Sequence, residues 1–186
     1  MDWMKPSTAS TLTRSLGVKH NDEALTGPGR SRNMKVFIQN EAGSFTKNYH
    51  DEKTLKFAGT ARVSRAYPMP YGFILHTTAD DGLNVDCFVL TKTSLQTGQI
   101  VECDPIGLME QIEDGNEDHN VLAVIRGEEG RLDGETKQML TEFVSHVFDH
   151  VAGKTIRADS FRGRESAIDY VTEHEDSGSG PIGPRV

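Results

Sequence analysis

The spacing of apolar residues changes period once along this chain, and that change restricts the folds open to it. Up to Ile125 the apolar residues come in short runs: Val36-Phe37-Ile38, Gly72-Phe73-Ile74-Leu75, residues 85–90 broken only by Asp86, Ile100-Val101-Glu102-Cys103 and residues 121–125. Runs of this length between Gly, Pro, Asn and Asp read as strands. Gln96-Thr97-Gly98 reads as a turn that makes 100–103 the neighbour of 85–90, and 105–109 continues the sheet. Beyond Ile125, Met139, Leu140, Phe143, Val144, Val147, Phe148 and Val151 fall at helical spacing, which predicts an amphipathic helix over 134–150. Ala167, Ile168 and Val171 predict a second helix over 162–173. Strands first and helices last predict an α+β domain: a small antiparallel β-barrel with peripheral strands and two C-terminal helices packed outside it.

Both ends of the chain are polar. Residues 1–33 are rich in Ser, Thr, Gly, Lys and Arg and read as a flexible N-terminal arm. Residues 176–186, with Ser-Gly-Ser-Gly-Pro-Ile-Gly-Pro, read as a flexible tail. The folded domain is expected over 34–175. No run approaches the roughly 20 apolar residues of a membrane span, and the first residues lack the apolar stretch of a secretory signal. A cytoplasmic protein with no membrane partner is the expectation. A net charge of −8 argues against a nucleic-acid partner, which calls for a basic stripe, and is compatible with divalent cations. Cys87 and Cys103 are too few for a disulfide framework and read as buried thiols facing each other across a hairpin.

Two acidic turns carry most of the candidate chemistry. Asp80-Asp81-Gly82-Leu83-Asn84-Val85-Asp86 delivers a carboxylate into the start of an apolar strand, where burial is costly unless it is paired or bound to a metal. Glu113-Asp114-Gly115-Asn116-Glu117-Asp118 precedes the strand at Val121. Converging at one sheet edge, the two turns suit hard cations, which take oxygen ligands. Read apart, each is a solvated hairpin tip, because Asp, Asn and Gly are ordinary turn residues. Neither matches the ligand spacing of an EF-hand. The histidines are scattered and read as surface or core residues, and Met139, Phe143 and Phe148 read as core.

Several pieces follow one another along the chain: Tyr67-Pro-Met-Pro-Tyr71-Gly-Phe-Ile, Asp81-Gly-Leu-Asn-Val-Asp86-Cys-Phe-Val-Leu, Gly98, Pro105-Ile-Gly-Leu, Glu113-Asp-Gly-Asn-Glu-Asp118, Val121-Leu-Ala-Val and Phe148-Asp149-His150. Together they resemble the family I soluble inorganic pyrophosphatases, collinearly from about Val36 to Glu173. The resemblance implies an OB-like, five-stranded antiparallel barrel, a Mg²⁺ cofactor, pyrophosphate as substrate and a homo-oligomer. It implies metal ligation by Asp81, Asp86 and Asp118, with Glu113 and Asp114 for a further ion. Tyr71 matches a retained active-site tyrosine, and Lys47 a phosphate-binding lysine.

Departures from the family pattern fall mainly on the phosphate side. The family's middle aspartate, which helps activate water, is replaced by Leu83, with Asp80 the nearest candidate substitute. Gln39, Tyr49, Gly59, Asn120 and Val151-Ala152 stand where the family has charged or phenolic groups. Arg62, Arg65 and Lys154 are candidate replacements for lost cations. Two readings stay open: a Mg²⁺-dependent hydrolase of pyrophosphate or a related phosphoanhydride, weak or altered, and a non-catalytic member of the fold that binds or assembles.

Overall fold

The computed structural model describes residues 32–177; most of the expected arm and tail lies outside them. The described edges are tied to the domain: Arg32 pairs with Glu175, and the Asp176 amide donates to the His76 carbonyl at 3.0 Å.

The strands are β1 (Met34–Asn40), β2 (Thr46–Asp51), β3 (Lys56–Arg62), β4 (Tyr71–Ile74), β5 (Asp86–Val89), β6 (Ile100–Glu113), β7 (Asn116–Glu117), β8 (Asn120–Ile125) and β9 (Ile156–Gly163). The helices are α1 (Gly134–His146) and α2 (Arg164–Glu173). Strands β1, β4, β5, β8 and β6 follow one another in the sheet, and β6 pairs back onto β1, closing a five-stranded barrel. β7 and β9 extend β6, while β2 and β3 form a separate hairpin.

The barrel is mixed, which corrects the all-antiparallel expectation: β5 and β8 run parallel, with Cys87 opposite Val121. Parallel neighbours need a long crossover, here supplied by β6 and β7. That long strand also corrects the expected pairing of 100–103 with 85–90. β6 pairs instead with β1, β8 and β9, and β8 lies between β5 and β6. Cys87 and Cys103, both buried and free, therefore sit on strands two places apart rather than across one hairpin.

Apolar runs bury both faces. Cys87, Val89, Val121 and Ala123 join one core with Ala167 and Val171 of α2. The alternate residues Phe88 and Leu122 join another with Leu140, Phe143 and Val144 of α1. Burying one such side chain contributes about 1.5–3 kcal/mol. Where β1 crosses β4 the backbones nearly touch, and a Cβ on Gly72 would lie 1.8 Å from the Phe37 carbonyl oxygen.

Asp133 caps α1 by accepting from the Thr136 amide at 2.8 Å, which satisfies an otherwise orphaned donor. The helix stops at His146, and 147–150 form turns rather than its last turn. Met139, expected in the core, is 38% exposed, because a narrower stripe of Leu140, Phe143 and Val144 meets the sheet. Residues 162 and 163 belong to β9, and α2 begins at Arg164. Hairpin β2–β3 was absent from the apolar pattern because its residues are mostly exposed or half-buried.

Candidate active site

Parallel pairing of β5 and β8 brings the starts of both strands, and both acidic turns, to one mouth of the barrel. Asp86 opens β5 and Asp118 lies two residues before β8. Both line a small pocket with Lys47, Tyr67, Tyr71, Gln111 and Glu113.

The 80–86 loop is held from several sides. Asp81 Oδ1 accepts the Leu83 amide at 2.9 Å, Gly82 takes a left-handed φ of +84°, and the Ala79 amide donates to the Leu83 carbonyl at 2.7 Å. Buried Thr77 accepts the Val85 amide and donates to the Ile74 carbonyl. The second turn is a two-residue hairpin in which Asp114 (φ 49°) and Gly115 (φ 88°) are both left-handed, the conformation that favours Asp-Gly.

Electrostatics mark Asp86. Burial pushes its pKa up to about 7; Lys47 opposes the shift and the Asp118 charge adds to it. The Tyr71 hydroxyl donates to Asp86 Oδ2 at 2.5 Å, and burial holds the Tyr71 phenol well above its ordinary range. Asp118 is also raised, by burial first and then by the Glu113 charge. Gln111 Nε2 donates to Asp118 Oδ2 at 2.8 Å. Lys47 Nζ stands 5.7 Å from the Tyr49 ring centre and 5.4 Å from that of Phe148, within cation–π range.

Lys154 contacts the Glu113 carboxylate and lies 3.1 Å from Asp114 Oδ2. A residue expected at phosphate thus neutralises two expected at metal. Asp114 also accepts the Thr155 amide at 2.8 Å. Asp80 and Asp81 are exposed and line a different, larger cleft of about 610 Å³ between the barrel and α2, with Glu110, Asp169, Tyr170 and Glu173. Asp86 and Asp118 line both cavities. Arg62 and Arg65 are exposed and line neither.

Tertiary structure adds groups that the sequence did not propose as site residues. Glu52, in the β2–β3 turn, accepts the Asn84 amide at 2.5 Å. Gln111 and Tyr67 come from β6 and the loop before β4. Asn120, 2% exposed, has a buried Oδ1 without a partner at the wall of the small pocket. Tyr67 carried a local signal in the Tyr-Pro motif, and Asn120 carried one as a departure from the family pattern.

Among the described residues, no three His, Cys, Asp or Glu side chains stand close enough to hold an ion as they are. The donor chemistry does fit a hard divalent cation: Asp81, Asp86, Asp118, Glu113 and Asp114 offer oxygens only. Asp86 is a carboxylate whose charge burial disfavours, the condition a cation relieves.

A family model described as inorganic pyrophosphatase matches residues 29–177. The chain belongs to the inorganic pyrophosphatase family. The inorganic pyrophosphatase of Aquifex pyrophilus is 30% identical over 161 residues, covering 77% of this chain and 89% of its own. That of Saccharolobus solfataricus is 36% identical over 104 residues, covering 54% and 60%. Among solved structures, the inorganic pyrophosphatase of Neisseria gonorrhoeae superposes with a TM-score of 0.69 at 25% identity, covering 81% of this chain and 95% of its own. The Thermus thermophilus inorganic pyrophosphatase gives 0.70 at 24%, covering 78% and 91%. Within this inorganic pyrophosphatase barrel, Leu83 is 54% exposed and lines the larger cleft beside Asp81 and Asp86.

Proposed function

We propose that the chain hydrolyses inorganic pyrophosphate, or a related phosphoanhydride, to phosphate with Mg²⁺ as cofactor. The observation that carries this reading is the Asp86–Asp118 carboxylate pair set with Lys47 and Tyr71 in one pocket. In this reading Asp81, Asp86 and Asp118 hold one cation, and Glu113 and Asp114, released from Lys154, contribute to another. Bound there, divalent cations offset the charge that builds on the phosphoryl oxygens.

The chain's own residues do the rest. Lys47, kept in place by the Tyr49 and Phe148 rings, contacts a phosphoryl oxygen. Lys154, once its carboxylates turn to a cation, offers its ammonium to the second phosphoryl group. The Tyr71 hydroxyl fixes the orientation of Asp86, and Gln111 that of Asp118. Phe143, Val144 and Val147 wall the pocket and keep its dielectric low, which strengthens each charge interaction. Arg62 and Arg65 have no contact role here. The family resemblance also implies a cytoplasmic homo-oligomer, a point that light scattering tests.

The test is phosphate release from pyrophosphate with millimolar Mg²⁺, beside Asp86→Asn as a control for contaminating activity. Mg²⁺-dependent release that falls about 100-fold or more in the variant is expected. Equal inactivity of parent and variant overturns the hydrolase reading and leaves a non-catalytic binding role.

A further inference from the structure

Of the buried side-chain oxygens among the described residues, only Asn120 Oδ1 has no hydrogen-bond partner. The residue opens β8, is 2% exposed, and lines the small pocket with Lys47, Tyr71, Asp86 and Asp118. Its amide is fixed the right way round: Nδ2 donates to the Asp118 carbonyl at 3.2 Å, and turning it over would set two acceptor oxygens against each other. A buried acceptor left without a donor costs free energy and calls for a ligand.

Strand register puts this oxygen among carboxylates. In the parallel pair of β5 and β8, Cys87 stands opposite Val121 and Phe88 opposite Leu122, so the same register one residue back sets Asp86 beside Asn120. Phe88 and Leu122 join the core covered by α1, and side chains alternate along a strand. Asp86 and Asn120 therefore share that face, where both line the pocket. Asp118 is held alongside by the carbonyl bond to Asn120 and by Gln111 Nε2, which donates to its Oδ2 at 2.8 Å. The Tyr71 hydroxyl takes Asp86 Oδ2. Each carboxylate thus has one oxygen fixed by a neutral donor, and Asn120 Oδ1 has none.

A phosphoryl oxygen is itself an acceptor and gains nothing from an amide oxygen. A hard cation does, because carbonyl oxygens ligate it beside carboxylates. The pocket is short of such ligands: Glu113 is held by Lys154, and Asp81 lines the larger cleft and not this pocket. We propose that Asn120 is a cation ligand of this site, its Oδ1 joining Asp86 and Asp118 around one divalent ion. The inference rests on the reading that this carboxylate pair takes a cation, and adds a ligand at a position where the chain departs from the family pattern. An amide completes a set of three oxygens without a third negative charge, beside two carboxylates whose charged forms burial already disfavours.

The test uses Mn²⁺ and Cd²⁺ with the full chain and with Asn120→Leu, Asn120→Cys and Asp86→Asn. Electron paramagnetic resonance of free Mn²⁺ gives its Kd, and ultraviolet absorption detects the charge-transfer band of a cadmium-bound thiolate. Leucine matches asparagine in size and has no ligand atom, so Asn120→Leu is expected to raise the Mn²⁺ Kd about tenfold or more. A residue that only braced Asp118 would do the same, and Asn120→Cys separates the two roles. A thiolate prefers the softer Cd²⁺, so this variant is expected to show a new charge-transfer band that the parent lacks. Cys87 and Cys103 of the parent are buried in the other core. Should the leucine variant fail to fold, the cysteine variant decides alone. The proposal is overturned if Asn120→Leu binds Mn²⁺ within about threefold of the parent, or if Asn120→Cys gives no new band with Cd²⁺. A parent that binds no Mn²⁺, or binds it as well as Asp86→Asn does, sinks the cation reading of the pocket and Asn120 with it. That result is distinct from a parent that needs Asp86 for Mn²⁺ and tolerates Asn120→Leu.

Discussion

The Tyr71 hydroxyl donates to Asp86 Oδ2 at 2.5 Å across the β4–β5 pair, in which Tyr71 faces Phe88 and Phe73 faces Asp86. The two side chains are diagonal neighbours on adjacent strands, within the reach of an aromatic residue. The phenol supplies a donor where water is scarce. Tyr71→Phe leaves the carboxylate short of one donor, and metal-free protein is expected to lose about 1–3 kcal/mol of stability at pH 8. The loss should shrink at pH 5, where Asp86 holds a proton. Urea unfolding at the two pH values checks both the size and the direction.

Asp86 also fixes the pH dependence of the metal-free fold. Its pKa is about 7 in the native protein against 3.8 as the ordinary value, so between these values the native state binds more protons than the unfolded chain. Stability then falls as pH rises through that window, by at most about 4 kcal/mol for a shift of this order. Asp118 and Glu52, both raised, act in the same sense. His50, lowered by burial, acts in the opposite sense. The difference between parent and Asp86→Asn isolates the carboxylate. Chelated parent protein should lose stability from pH 5 to 8 by more than Asp86→Asn does, and added Mg²⁺ should remove most of that difference.

Lys47 lines the pocket of the paired carboxylates, lowers the pKa of both, and has no ion-pair partner among the described residues. Lys47→Met removes a phosphoryl contact and the charge that holds Asp86 down. A fall in kcat/KM of about 100-fold is expected, with little change in the far-ultraviolet circular dichroism, since the residue is half-buried on the hairpin. Steady-state phosphate release provides the number.

Gly72 tests the barrel itself. An added Cβ would lie 1.8 Å from the Phe37 carbonyl oxygen and 3.0 Å from the Gln39 amide nitrogen. Both are backbone atoms of β1 and cannot swing aside. Gly72→Ala is expected to cost about 3 kcal/mol or more, at the upper end of overpacking effects, measured as a lower urea midpoint at unchanged slope.

Much of the barrel was legible because its strands are buried on both faces. Continuous apolar runs such as 121–125 follow from that burial, and they stand out in a sequence. The β2–β3 hairpin was not legible: its residues are exposed or half-buried and show no alternation. Met139 misled for a related reason, because helical spacing gives a face but not the width of the contact that covers it. For the site, the acidic turns and the Tyr-Pro motif were visible as local patterns, whereas the grip of Lys154 on Glu113 and Asp114 depends on a residue 41 positions beyond Glu113.

By itself the sequence determined which segments could be buried, where the strands gave way to helices, and that two acidic turns would open apolar strands. Those properties depend on near neighbours and on period. Only the tertiary structure decided that β5 and β8 run parallel, which puts Asp86 and Asp118 at one mouth. It also decided that Glu52 reaches the loop of Leu83 while Asp80 lies against α2. Strand direction and cross-hairpin reach are set by how the whole barrel closes, through contacts between residues far apart in the chain.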